Sequence, residues 1–280
     1  MKPSRRDFLL AGTGTVMGIS YALRTSNTTA QELPANAIPL ESGLASYTLR
    51  EFNRADCIAM AKRLKFRKMC FKSMHLEMDS TDEQCRQAAG ECRRAGMDLY
   101  GCGVCYMNSD AEVVNTFRYA KAAGMRVIVG VPKHDLLPLV EQKVKETGIL
   151  VAIHNHGPGD LLYPTSTSIM EKVAQLDKRI GVCLDVGHVV RLGLDPVEAI
   201  LECGERLHDI HLKDQSAATA QSQTLVCGHG VMDFPAIIRA LKKIHYPGVV
   251  SFEYEAEGKD PLAGLAESVG FVRGVIKTLA

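Results

Sequence analysis

The sequence predicts a single (β/α)8 TIM barrel, an α/β fold of eight parallel strands ringed by helices. Three observations predict it. Eight short apolar runs alternate with eight helix-like segments, and alternation at this spacing gives parallel strands joined by helical crossovers. Past residue 30 roughly 250 residues remain, a common size for one such barrel. The last four apolar runs each place a polar residue at the same parity near their C-terminal end, namely His154, Asp185, His211 and Glu253. The C-terminal strand ends are where barrels of this kind place chemistry. A doubly wound open sheet is the alternative, but no Gly-x-Gly-x-x-Gly loop follows the first strand.

In chain order, Gly43 to Tyr47 is the first strand and Asn53 to Leu64 the first helix, with Ile58, Met60, Ala61 and Leu64 on one face. Phe66 to Phe71 is the second strand, followed by Lys72 and the loop residue His75. Thr81 to Ala95 is a helix with Thr81 or Ser80 as its cap and Gly96 as its stop. Met97 to Val104 is the third strand; Asp110 to Ala123 is a helix closed by Gly124. Met125 to Val131 is the fourth strand, stopped by Pro132, and Leu136 to Thr147 the helix after it, ended by Gly148. Ile149 to His154 is the fifth strand and Ser166 to Leu176 its helix.

Ile180 to Asp185 is the sixth strand. There Gly187 is expected to break the strand, leaving Asp185 and His188 at the start of a loop. Asp195-Pro196 opens a helix to Cys203, and Leu207 to Lys213 is the seventh strand. Gln215 to Gln223, rich in Ser, Ala, Thr and Gln, is expected to be a mobile loop. Asp233 with Pro235 starts a helix to Ile244, Gly248 to Tyr254 is the eighth strand, and a last helix covers Leu262 to Leu279.

The N-terminus stands apart. Ser4-Arg5-Arg6-Asp7-Phe8-Leu9-Leu10 resembles the twin-arginine export motif. A weakly apolar run, Leu9 to Leu23, follows, then Thr28-Thr29-Ala30 as a small-residue cleavage site. The run contains three glycines and is short of the roughly 20 apolar residues of a membrane span. Residues 1–30 are therefore expected to be a signal peptide, 31–42 an extended lead-in and 43–280 the barrel. The expected location is the periplasm, with no stable membrane insertion once the leader is cleaved. An uncleaved N-terminal anchor is the alternative.

The leader carries four basic residues and one acidic, leaving 29 basic against 31 acidic in the rest. Without a basic block to track phosphates, nucleic acid is not an expected partner. Nine scattered cysteines are an odd number for an oxidising compartment. Cys102-x-x-Cys105 lies in a strand, not at a helix start that would stabilise a thiolate, so buried free thiols are expected.

Parity then defines the candidate site. Leu150, Ala152 and His154 share one face of strand five, with Ile149, Val151 and Ile153 on the other. Asp209, His211 and Lys213 oppose Ile210 and Leu212; Ser251, Glu253 and Glu255 oppose Val250, Phe252 and Tyr254. The bulky faces pack on helices, so the polar faces point into the barrel, where charge is costly unless paired or bound to metal. One divalent ion held by His154, Asp185, His211 and Glu253 accounts for the four together. Lys72, His75, His156, His188 and Glu255 are the candidate substrate contacts. Gly228-His229-Gly230 reads either as a phosphate loop or as a tight turn.

Leu184–His188 (LDVGH), His208–Asp214 (HDIHLKD), the Gly-x-Gly before Val231–Leu241 (VMDFPAIIRAL) and Val249–Glu255 (VVSFEYE) together resemble the xylose-isomerase-like TIM-barrel family of sugar phosphate isomerases and epimerases. The resemblance runs over residues 40 to 280. It implies a divalent ion held by Glu, Asp, His and Glu from strands five to eight, and it places Asp185, His211 and Glu253 directly. The fourth ligand position falls on His154, within His154-Asn155-His156, where many members have Glu-Asn-His. In such epimerases the two glutamates also act as bases on opposite faces of a metal-stabilised enediolate. Of that pair only Glu253 is present here.

The expected activity is a metal-dependent sugar isomerase or epimerase with Glu253, His154 and Lys213 as its catalytic residues. The metal would be Mn, Co, Zn or Fe, which mixed imidazole and carboxylate ligands suit better than Ca. A lyase cleaving keto-glycosides by β-elimination is the first alternative, and a non-catalytic periplasmic sugar-binding barrel the second. The expected partner is a small carbohydrate; a homo-oligomer is open.

Overall fold

The computed structural model describes residues 40–279. The leader and most of the lead-in lie outside the described residues. Eight parallel strands close into a barrel in the order β1–β2–β3–β4–β5–β6–β7–β10. They are β1 Glu41–Ala45, β2 Lys68–Phe71, β3 Asp98–Met107, β4 Val127–Pro132, β5 Leu150–His154, β6 Ile180–Asp185, β7 Leu207–Leu212 and β10 Val249–Phe252. Closure comes from β1 pairing with β10, Glu41 beside Val249 and Leu44 beside Phe252.

The helices are α1 Arg54–Arg63, α2 Asp82–Arg94, α3 Asp110–Ala123, α4 Leu137–Thr147, α5 Ser166–Val173, α6 Val186–Arg191, α7 Pro196–Cys203, α8 Phe234–Lys243 and α9 Leu262–Thr278. Their ends follow local chemistry. Thr81 caps α2 in a reciprocal box with Gln84, whose side chain accepts from Thr81 N at 2.7 Å. Gly124 and Gly148 end α3 and α4 with φ of 72° and 75°, a conformation that costs glycine nothing. Phe234, Ile237, Ile238 and Leu241 of α8 are fully buried. Each such burial contributes roughly 1.5–3 kcal/mol.

Strand alternation splits the core in two. Val151, Ile153, Val182 and Leu184 join the large cluster between sheet and helices, whereas Ala152 and Cys183 join Cys70, Tyr100 and Val129 in a smaller one. All nine cysteines are buried free thiols, Cys102 and Cys105 included. Among the described residues no helix is long and apolar enough to cross a membrane.

Three expectations are corrected. Gly187 does not break the chain into a loop: it lies in α6, which begins directly after β6. A side chain at 187 would clash with the Lys213 stem at its Cγ. Glycine is there to let that stem pass. The Gln215–Gln223 stretch is not a free loop. It is closed by β8 Asp214–Gln215 pairing antiparallel with β9 Thr224–Leu225, and by Ser222 Oγ donating to Gln215 Oε1 at 2.7 Å. β3 also runs past Val104 to Met107, with a one-residue register shift between Cys102 and Cys105.

The Gly228–Gly230 turn already holds an anion of its own. Asp214 Oδ2 accepts from Gly228 N at 2.8 Å and Gly230 N at 2.9 Å, and Oδ1 accepts from Gln215 N at 2.8 Å. The tight-turn reading is the one the structure supports, with a carboxylate in the seat a phosphate would need. A Cβ at 230 would clash with the Gln215 carbonyl oxygen. Gly230→Ala should therefore cost about 1–3 kcal/mol through overpacking, read as a lower urea midpoint; an unchanged midpoint would contradict this account.

Candidate metal centre

Four adjacent barrel strands deliver the four residues. His154 and Asp185 are the last residues of β5 and β6, His211 is the fifth residue of β7, and Glu253 follows β10. Hydrogen-bonded parallel pairing sets His211 beside Asp185, while His154 pairs with Cys183, two residues before Asp185, and His211 with Ser251, two residues before Glu253. One ligand atom from each of the four lies within 4.8 Å of every other. His154 Nε2 is 3.3 Å from His211 Nδ1 and 3.6 Å from Asp185 Oδ2; His211 Nδ1 is 3.2 Å from Glu253 Oε2. All four residues are buried.

These residues fit a divalent cation on a direct observation. His154 Nε2 and His211 Nδ1 face each other at 3.3 Å, a gap where only one could carry a proton, and Asp185 Oδ2 and Glu253 Oε2 lie 3.6 and 3.2 Å from those two nitrogens. Buried polar atoms are rarely left so. A cation between them satisfies all four at once, and two nitrogens with two oxygens match a first-row transition metal.

Asn155 holds the geometry. Its Oδ1 accepts from Asp185 N at 2.8 Å and its Nδ2 donates to the Asp185 carbonyl at 3.2 Å. Asp185 in turn caps α6, accepting from His188 N at 2.9 Å. Lys213 reaches in from the end of β7. Its Nζ lies 2.8 Å from Asp185 Oδ2 and 2.7 Å from Glu253 Oε2, and it also pairs with Glu255.

The electrostatics follow from burial and these partners. Burial opposes charge on Lys213, but Asp185, Glu253 and Glu255 outweigh it and hold its pKa well above the usual value. Burial likewise opposes charge on Glu253, yet His211 and Lys213 keep it well below the usual carboxylate range. His154 is pushed down to about 3 by burial, so it is a neutral donor at any working pH. His211 goes the other way, since Glu253 and Asp209 outweigh its burial.

The remaining sequence candidates are spread around this centre. His188 Nε2 is 3.8 Å from Asp185 Oδ2. The His156 ring is 4.5 Å from the His154 ring. Lys72 Nζ lies over the Tyr47 ring at 5.1 Å. Glu255 is partly exposed and held by Lys213. His75 is buried with both ring nitrogens engaged, Nδ1 with Ser46 Oγ at 2.9 Å and Nε2 with the Phe52 carbonyl at 3.1 Å, so in this structure it ties the β1 and β2 loops together.

Burial lowers the pKa of His75 and His208, as it does that of His154. A histidine kept neutral in the fold stabilises above its unfolded pKa of 6.5, and that contribution is lost as pH falls below it. Stability of the metal-free protein should therefore drop from about pH 6.5 downward. His75→Gln should flatten that slope in urea titrations, and an equal slope in both proteins would contradict the assignment.

One feature escaped the sequence reading and another was read only in part. Asp209 sits inside the barrel as its parity indicated, but its role was not assigned: burial raises its pKa to about 6 and Tyr100 donates to it at 2.9 Å. Tyr106, beyond the expected end of the third strand, stands exposed at the mouth and bonds His156 Nε2 at 3.2 Å. The parity of β7 was a signal for Asp209; the bulge in β3 hid Tyr106.

A closed parallel barrel with imidazoles and carboxylates gathered at the strand ends defines the class: a (β/α)8 barrel with a candidate metal centre at its mouth. The chain belongs to the xylose isomerase-like TIM barrel family, whose model matches residues 32–275. It is 25% identical over 157 residues to the rhizopine catabolism protein MocC of Rhizobium meliloti, a match spanning 46% of this chain and 48% of MocC. The chain thus spans about half the length of that curated relative. Among solved structures, D-psicose 3-epimerase with D-tagatose from Clostridium cellulolyticum H10 superposes with a TM-score of 0.68 at 16% identity, covering 85% of this chain and 99% of that one. The probable 3-DHS dehydratase AsbF of Bacillus anthracis gives 0.67 at 14%, covering 83% and 99%. At such identities the likeness is one of fold.

Proposed function

We propose that the protein is a divalent-metal-dependent sugar isomerase or epimerase that removes a proton next to a carbonyl. The observation that carries this reading is the convergence of His154, Asp185, His211 and Glu253, with the Lys213 ammonium against the same two carboxylates. Those four residues would hold an ion of the Mn, Co, Zn or Fe type, which would supply Lewis acidity toward a bound carbonyl. Glu253 is kept ionised, and its carboxylate is the base that accepts the proton next to that carbonyl. Lys213 keeps its proton at Nζ and stabilises negative charge developing beside it. Asn155 fixes the backbone of Asp185, and the packed barrel interior below excludes water.

One observation supports a second reading. His154 stands where a second carboxylate base would be needed for transfer between the two faces of a carbon. The site then has one ionised carboxylate, Glu253, and one buried ammonium beside it. A base and an acid side by side suit β-elimination, in which Glu253 takes the proton and Lys213 serves the departing oxygen.

Metal-loaded protein incubated in D2O with free ketoses and with 3-keto-glycosides tests both readings. Deuterium at the α-carbon reports proton removal, and release of an aglycone reports elimination. Glu253→Gln should lower both by at least a hundredfold. Sugar binding without exchange by the wild type would instead leave a non-catalytic binding barrel. Export by the twin-arginine route is likewise our proposal, on Arg5-Arg6; cell fractionation of an Arg5→Lys, Arg6→Lys variant checks it.

A further inference from the structure

We propose that Tyr106 and His156 form the floor of a second ring subsite, so that the substrate is a glycoside and not a free monosaccharide. The inference rests on the carbohydrate reading above and narrows it.

Among the described tyrosines Tyr106 is the most exposed, with Tyr47 half-buried. Tyr100, Tyr119, Tyr163, Tyr246 and Tyr254 are each at most 3% exposed, whereas Tyr106 is 53% exposed. It is also held in place. Its ring stacks on His156 at 5.8 Å and 27°, and its hydroxyl bonds His156 Nε2 at 3.2 Å. Behind His156, Nδ1 lies 3.8 Å from Asp160 Oδ2. Asp160 Oδ1 accepts from Leu162 N at 2.9 Å and Tyr163 N at 2.6 Å, which anchors the loop after β5. The bulge in β3 sets which way Tyr106 faces, since a one-residue slip reverses the faces of a strand.

The spacing gives the subsite its role. The His156 ring is 4.5 Å from that of His154 and 5.8 Å from that of Tyr106. Tyr106 therefore stands within two ring spacings of a metal-ligand candidate. A sugar ring engaged at the metal centre would lie over the His154 and His156 side of this row, and its glycosidic neighbour would reach the exposed Tyr106 ring. A fixed aromatic face with a few polar groups beside it is how neutral ring ligands are held. Because the ring is already oriented, little freedom is lost on binding. The cationic side chains Lys72 and Arg50 are engaged instead with the Tyr47 ring on the β1 side, at 5.1 and 4.9 Å. With the Asp160 carboxylate behind His156, the Tyr106 side suits a second ring without negative charge, and such a substrate carries the leaving group that β-elimination needs.

The test is calorimetry on the metal-loaded protein. Its ligands are glucose and 3-keto-glucose as single rings, and cellobiose, trehalose, phenyl β-glucoside and their 3-keto forms as two-ring ligands. Wild type should bind at least one two-ring ligand about tenfold more tightly than its single-ring counterpart, a difference of about 1.4 kcal/mol. Tyr106→Ala should erase that difference and leave single-ring affinity and thermal stability unchanged; Tyr106→Phe should keep most of it. Equal affinity for one and two rings in the wild type, or a preference that survives Tyr106→Ala, overturns the subsite. Absence of binding by every sugar overturns the carbohydrate reading itself, and the subsite with it.

Discussion

Protein carrying Asp185→Asn is expected to retain its fold, to hold less than about a tenth of the wild-type metal and to lose activity by roughly a thousandfold. The choice of asparagine separates charge from shape. Asp185 caps α6 by accepting from His188 N at 2.9 Å, and asparagine caps a helix about as well as aspartate does. The Asn155 bonds go to the backbone of residue 185 and are untouched. What disappears is the negative oxygen 3.6 Å from His154 Nε2 and 2.8 Å from Lys213 Nζ. Groups that only support a metal ligand cost roughly 10–100-fold when removed. A ligand that is itself central to the set should cost more. Elemental analysis of protein purified without chelator, thermal unfolding and deuterium exchange into substrate read the three effects separately. Full metal occupancy in the variant would remove Asp185 from the centre.

The parts of this molecule that were legible in the sequence are those governed by short-range periodicity. Alternation along Leu150–His154 and Leu207–Leu212 states which side chains point inward. The register of β6 and β7 pairs Asp185 with His211, whereas His154 pairs with Cys183 and His211 with Ser251, so the four converge through the stagger of neighbouring strands and not through pairing alone. Asp195-Pro196 and Thr81 mark helix starts by chemistry confined to one turn.

Other features depend on contacts between residues far apart in the chain. Gly187 looks like a strand breaker until the stem of Lys213 is placed against it. Gly228-His229-Gly230 looks like an anion loop until Asp214, 14 residues earlier than Gly228, is found filling it. His75 has the right position for a substrate contact, but its nitrogens are spent on Ser46 and Phe52. Tyr106 was out of reach for another reason. The bulge between Cys102 and Cys105 breaks the two-residue period on which the inward and outward assignment rests.

Lys213→Met should have opposite effects on the metal-free and metal-loaded protein. Lys213 is 2% exposed, and its ammonium touches the two carboxylate oxygens that face His154 and His211. In the metal-free protein it is the positive charge in contact with Asp185, Glu253 and Glu255. Methionine preserves the length and the apolar stem that runs past Gly187, but not the charge. Removing one partner of a buried ion pair costs about 3–5 kcal/mol, because the other partner is left uncompensated. The chelator-treated variant should therefore unfold at a clearly lower urea concentration than chelator-treated wild type. An added divalent ion meets the same two oxygens without a competing ammonium, so its affinity should rise at least tenfold, about 1.4 kcal/mol. The stability gap should close as the ion is titrated in, by linkage. Activity should nevertheless fall, because the positive charge that stabilises developing negative charge beside Glu253 is gone. If the metal-free variant is as stable as wild type, the ammonium is not what neutralises the centre. If metal affinity drops instead, Lys213 supports the ion and does not compete with it.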